Sequence, residues 1–157
     1  MPSDLYLRIA GIAGDSADKA HRAWIEIDAM DGGLEQSTGG SGGGAGAGKV
    51  TARPLMVTAQ SSIATPLVFE AVAKGTHFSD ATIESVRAVE KQDVLMRCDL
   101  EDLRLISLDL AGADAGFIDR FGIVARRIRI SFFPQDPKGG IGAAVTRGWD
   151  FAAHKPW

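Results

Sequence analysis

The sequence predicts a mainly β fold: a β-barrel of antiparallel strands with one short α-helix, about residues 65–74, packed on it. Three observations lead there. Apolar and polar residues alternate at period two through most of the chain, the pattern of strands with one buried face. A single segment switches to helical spacing. The 157 residues, 45% hydrophobic and 24% charged, suffice for one domain, residues 1–157, with a core that needs no covalent staple.

The first strand places Leu5, Leu7 and Ile9 on one face and Asp4, Tyr6 and Arg8 on the other. In the second, Ile25, Ile27 and Ala29 alternate with Trp24, Glu26 and Asp28. Of the ten residues 39–48, seven are glycine, with Ser41, Ala45 and Ala47 between them. A stretch without side chains to bury reads as a mobile loop between strands, too short to divide domains. Strand pattern resumes over 49–59, where Pro54 marks an edge or a bulge.

The helix follows. Thr65 offers an N-cap hydroxyl and Pro66 the first helical position. Leu67, Val68, Ala71 and Val72 recur at helical spacing, and Lys74-Gly75 closes the segment with a cation and a glycine. Strands over 81–89, 94–105 and 117–133 complete the set. The turn Glu90-Lys91-Gln92-Asp93 joins the first two into a hairpin.

Composition excludes several function classes. With 17 basic and 20 acidic side chains the net charge is −3, so no global field recruits nucleic acid or anionic lipid. The one cysteine, Cys98, rules out a disulfide framework and multi-cysteine metal sites, and suits folding in a reducing compartment. Asp4, Arg8, Asp15 and Asp18 interrupt the first twenty residues, so no signal-peptide core forms there, and no later run approaches a membrane span. Export would therefore proceed without an ordinary amino-terminal signal.

Apparent catalytic motifs fail on context. Gly39-Gly40-Ser41-Gly42-Gly43 matches the nucleophile elbow, but no helix follows, so a serine hydrolase using Ser41 is a weak alternative. The run from Gly43 to Lys49 resembles a P-loop, yet Val50 stands where a magnesium-binding hydroxyl belongs. His21, His77 and His154 lack metal-ligand spacing. Cys98 alternates with Val94, Met96 and Leu100, as an inert buried thiol does. Asp99 and Glu101 share a strand face with Arg97 and read, with Asp102, as a solvated or ion-paired cluster. Arg127 and Arg129 point to one side and Arg126 to the other, which splits the one basic patch and suits a polar outer or subunit-facing surface. No catalytic, cofactor-binding or metal site is expected.

In order and spacing the chain resembles the haemolysin-coregulated protein (Hcp) family, tube subunits of the bacterial type VI secretion system. The residues that carry the resemblance are the strand Asp4 to Ile9, the run Gly14-Asp15-Ser16-Ala17-Asp18-Lys19-Ala20-His21, the strand Trp24-Ile25-Glu26-Ile27 and the loop ending Gly46-Ala47-Gly48-Lys49-Val50. Next come Thr65-Pro66 through Leu67, Phe69, Ala71, Gly75 and His77. The most specific are Pro134-Gln135, Gly142, Val145 and Gly148-Trp149-Asp150. The resemblance implies a β-barrel that assembles into homo-hexameric rings, stacked into a hollow tube. It also implies contractile sheath and spike proteins as partners, effector proteins carried in the lumen, and assembly in the cytoplasm before secretion. A phage tail-tube-like subunit of another contractile device would share this architecture.

On that reading the ring-stacking loop comprises Gly40, Gly42, Gly43, Gly44, Gly46 and Lys49. Met30, Asp31 and Gly32 are candidates to face lumen and cargo; where the family carries a Ser-Trp-Gly run near the lumen, this chain has Asp31-Gly32-Gly33. The short stretch after Trp149-Asp150 is not expected to hold a fused effector domain. Nucleic acid, membrane insertion and a cofactor are not expected.

Overall fold

The computed structural model describes residues 3–37, 48–87, 93–138 and 140–157. In chain order the elements are β1 (Ser3–Ile9), β2 (Ile25–Ile27), β3 (Ala29–Gln36), β4 (Val50–Gln60), α1 (Ala64–Lys74), β5 (His77–Arg87), β6 (Val94–Ala113), β7 (Gly116–Phe132), β8 (Val145–Asp150) and β9 (Lys155–Pro156). The glycine-rich residues 39–47, Ser41 among them, and Glu90-Lys91-Gln92 of the expected turn lie outside the described residues.

The strands form one antiparallel sheet in the order β2-β1-β5-β6-β7-β4-β3, with β8 added to β7 and β9 to β8. Its two end strands are halves of one bent segment. Ile25 and Ile27 pair with β1, Ala29 to Gln36 pair with β4, and between them the Asp28 N–H donates to Thr58 O at 2.8 Å. The sheet thereby curls into the expected barrel, with the bend at Asp28 as its seam in place of a ladder.

Period-two alternation turns the apolar face of each strand inward. Leu7, Ile9, Val57, Ile83, Leu100, Phe121 and Ile123 are buried in one cluster, and Val68 and Ala71 of α1 pack into it. The helix begins one residue before the expected start, and its cap differs. Ile63 is the N-cap and makes no side-chain cap. The Thr65 hydroxyl instead accepts from Ser62 N–H at 2.9 Å and donates to Asp119, while Ser62 Oγ accepts from Ala64 N–H at 3.1 Å. Asp119 is buried and needs donors, so it takes the hydroxyl that the sequence assigned to the cap. Gly75 ends α1 in the left-handed conformation, φ 65°.

Three strands, β3, β8 and β9, were not expected, and β5 and β6 outrun their expected limits, β6 by eight residues past Leu105. Along β6 the buried set also changes parity. Cys98 and Leu100 face inward before Asp102, Leu103 and Leu105 after it, because Asp102 takes a positive φ of 51°. A bulge at Ile106 then reverses parity again, and Leu108 packs against the core.

The segment between β1 and β2 folds over the outer face of the sheet. His21 is buried there, stacked on Tyr6 with ring centroids 4.1 Å apart. Its Nδ1 lies 2.7 Å from Asp18 Oδ2 and its Nε2 3.2 Å from Glu84 Oε2.

Candidate assembly surface

The β6–β7 hairpin is longer than the barrel wall it supplies. Its middle, from Cys98 to Leu108 against Phe121 to Ile128, closes the core. Beyond that stretch both ends overhang. At one end Met96 pairs with Phe132, Cys98 with Ile130, and β8 brings Val145 beside Phe132. These side chains have the same parity as Cys98 and Leu100, yet Met96, Ile130, Phe132 and Val145 are exposed. At the other end Leu110 lies opposite Asp119 and Phe117 opposite Gly112, and both apolar residues are exposed. Ile63, the N-cap of α1, and Phe69 within it add exposed apolar surface. A soluble monomer rarely leaves contiguous apolar strand faces bare, so such ends mark contact surfaces.

The reverse face of the same strands is a charged ladder. One row across β1, β5, β6 and β7 reads Arg8, Thr82, Asp99, Arg129, and the next reads Asp80, Glu101, Arg127, Asp150 across β5 to β8. Arg8 holds Asp80 at 2.5 Å, Arg97 holds Asp99 at 3.0 Å, and Arg127 bonds Asp150 at 2.9 Å and Glu101 at 3.1 Å. Asp80 is thereby held below the usual carboxylate range, first by its bond from Arg8. Arg129 lays its guanidinium 3.9 Å over the Trp157 ring. A cleft of ≈ 530 Å³ opens here between Arg8, Arg97, Arg129 and Trp157. The Asp99–Glu101–Arg97 group is thus ion-paired, as its residue types suggest. Arg126 bonds the same Asp150 carboxylate, 3.3 Å away, so Arg126 and Arg127 meet on one anion although simple alternation would send them to opposite faces.

The residues singled out for stacking are represented by one member. Lys49 is exposed at the base of the β3–β4 hairpin, and its carbonyl accepts from Ser37 N–H at 3.3 Å. Gly40, Gly42, Gly43, Gly44 and Gly46 lie outside the described residues. The three lumen candidates diverge. Met30 packs against the core. Asp31 is 75% exposed and stands 3.9 Å from Arg120. Gly32 sits in a β-bulge over Leu55, where an added Cβ would run into the tip of the leucine side chain and force it to shift. Asp31, Gly32, Arg53, Pro54 and Met56 line a shallow cleft of ≈ 420 Å³.

Sequence reasoning missed the overhanging ends. Residues 106–113 carried the signal, since Leu108 and Leu110 alternate with Ser107 and Asp109. Cys98 is buried, and burial pushes its thiol up to about 12. Among the described residues no helix is long and apolar enough to cross a membrane.

The family model for the type VI secretion system effector Hcp matches residues 6–132. A solved type six secretion system protein superposes with a TM-score of 0.91 over 99% of this chain and 100% of its own, at 21% identity. Hcp1 from Salmonella typhimurium gives 0.84 over 100% of both chains at 24% identity. Secreted protein Hcp3 from Pseudomonas aeruginosa gives 0.69 over 95% and 98% at 13%. At these identities the likeness shows the fold alone. No curated protein matches the chain in sequence.

Proposed function

The chain belongs to the Hcp family of type VI secretion tube proteins, and from that premise we propose that it forms hexameric rings that stack into a hollow tube and act by geometry, without covalent chemistry. The observation that carries this reading is the pair of bare apolar ends on a hairpin whose middle is built rigidly into the barrel. A ring needs a self-complementary set of surfaces at two different places on each copy, and rigid strands present them at fixed angles. The contractile sheath drives the tube outward and the spike tips it, so the protein leaves the cell with the machine it builds.

Effector proteins ride in the lumen. Asp31, exposed beside Arg53 and Arg120, and Gly32, which lines the same cleft, are the members of the 30–32 segment available to touch them, with Met30 packed on the core. Residues 40–46, with Lys49 at their base, mediate contacts between rings.

Light scattering on the purified protein, followed by negative-stain imaging, tests the reading. Rings of six are expected, and a folded protein that remains monomeric at every concentration overturns it. The Ser41→Ala variant, assayed with an ester substrate, is expected to match the parent because there is no activity to lose.

A further inference from the structure

We propose that the β8 end of the hairpin, formed by Met96, Ile130, Phe132 and Val145 around Arg147, docks on the hairpin tip of a second copy, where Leu110 and Phe117 flank Asp114. This rests on the tube reading and names the surfaces through which one copy meets the next.

Four observations lead to the second copy as occupant. First, the side chains at both ends have the parity of core residues, but no element among the described residues covers them. Second, a tube protein touches copies of itself, so bare apolar strand faces have a partner of known composition. Third, the two patches are unlike and lie at opposite ends of one hairpin, up to roughly 50 Å apart at about 3.3 Å per residue. Unlike patches on one chain join head to tail, and a head-to-tail contact is the kind that propagates round a ring, whereas pairing of like patches stops at a dimer.

Fourth, the charges match. Arg147 is exposed on the same β8 face as Val145 and, among the described residues, bonds only a backbone carbonyl, that of Thr146 at 2.7 Å. Asp114 is exposed at the hairpin turn and forms no ion pair among the described residues. One apolar end therefore offers a spare cation and the other a spare anion. The apolar side chains supply affinity, and the ion pair at the rim fixes orientation and speeds encounter.

Sedimentation of the full chain and its variants tests this. Phe132→Asp and Phe117→Asp each replace an exposed side chain, and circular dichroism checks that both fold; Val145→Asp is the second variant at the β8 end. Each is expected to weaken self-association at least about thirtyfold, as loss of a central apolar anchor does. Mixed together, Phe132→Asp and Phe117→Asp retain one good end apiece, so they are expected to give a heterodimer and no ring. Arg147→Asp is expected to weaken assembly and Asp114→Arg on the same chain to restore it.

Parent rings that survive Phe132→Asp and Val145→Asp overturn the docking surface while leaving the tube reading intact. Rings that survive Phe117→Asp overturn the tip as its receptor. A parent protein that never assembles overturns the tube reading itself, which keeps the two failures apart.

Discussion

Asp150, the last residue of β8, holds Arg127 of the neighbouring strand by a 2.9 Å bond from Nε to Oδ2. The same carboxylate accepts from Ala153 N–H at 2.9 Å, Ala152 N–H at 3.0 Å and Arg126 Nε at 3.3 Å. It is buried, and one anion thus ties together the end of β8, the turn that follows and two arginines of β7. Four donors around a carboxylate explain why this tail carries Asp after Trp149.

Those donors, the Ala153 N–H foremost, hold Asp150 well below the usual carboxylate range. A folded-state pKa below the unfolded value adds stability that is present above the unfolded pKa of about 3.9 and is lost as pH falls through the folded one. Urea unfolding between pH 7 and pH 3 is expected to show midpoints falling below about pH 4. Asp150→Asn, which keeps shape and loses charge, is expected to lower the midpoint at pH 7 and flatten that acid decline. Curves for the two proteins that run parallel would falsify the role.

The loop before β2 depends on His21 in a comparable way. Removing the ring in His21→Ala takes away the stacking partner of Tyr6 and leaves Glu84 buried with Arg97 no nearer than 3.9 Å. Truncating a buried ring leaves a cavity and takes a hydrogen-bond partner from a buried carboxylate, and about 3 kcal/mol is expected here, read from chemical denaturation. The barrel should persist, because Leu7, Ile9 and Ile83 pack on the opposite face of the same strands. Hydrogen exchange is expected to rise over residues 11–24 before it rises elsewhere.

These two clusters show which parts of the molecule the residue pattern discloses. Alternation exposed the strands whose one face is buried, such as Leu5-Leu7-Ile9, and helical spacing exposed α1, since both signals are local. The strand β3 was hidden because Gly32 and Gly33 interrupt its alternation, and β8 because Gly148 divides six residues that hold only Val145 and Trp149 as apolar markers. The parity change at Asp102 has no local signature, being set by a single backbone angle. Thr65 misled as a cap because its true partner, Asp119, is 54 residues away. Gly148-Trp149-Asp150 stood out as a motif. Its cause needed coordinates: a Cβ at Gly148 would lie 2.7 Å from the Trp157 carbonyl and 3.0 Å from that of Ile128.

That last contact predicts the outcome of Gly148→Ala. The added methyl must displace either the chain end at Trp157 or β7, and neither is a flexible side-chain tip. Overpacking of this kind costs about 1–3 kcal/mol. Thermal unfolding is expected to shift down accordingly, with tryptophan fluorescence changing as Trp157 lifts from Arg129. A variant with parental stability and fluorescence would show that the tail does not lie on β8 in solution.

Cys98 offers a probe of barrel integrity. Buried on β6, with its thiol pushed up to about 12, it carries almost no thiolate at pH 8. An ordinary free thiol titrates near 8.5, so modification by a disulfide reagent at pH 8 is expected to be at least about a thousandfold slower in the folded protein. Labelling should appear only in denaturant, along the same curve as unfolding. Rapid labelling of the native protein would mean that β6 opens next to the core.

Shortening the glycine segment separates the two kinds of contact proposed for the tube. The β3–β4 ladder is already closed at its base, where Gln36 pairs with Val50, Gln36 Nε2 donates to Gly48 O at 3.0 Å and Ser37 N–H donates to Lys49 O. Deleting residues 40–46 leaves Thr38, Gly39 and Ala47 to connect Ser37 with Gly48, and three residues are a normal hairpin loop. The cut lies beyond the end of the β3–β4 ladder and leaves the pairing of Leu55–Gln60 with β7 untouched, so ring formation is expected to match the parent by sedimentation. Contacts between rings should weaken, because glycine backbone can approach a neighbouring surface closely and the deletion removes it. Electron microscopy is then expected to show single rings under conditions where the parent forms stacks. Monomers alone would overturn the division of labour, since the segment would then be needed within a ring; stacks of parental length would show that it is not needed between rings.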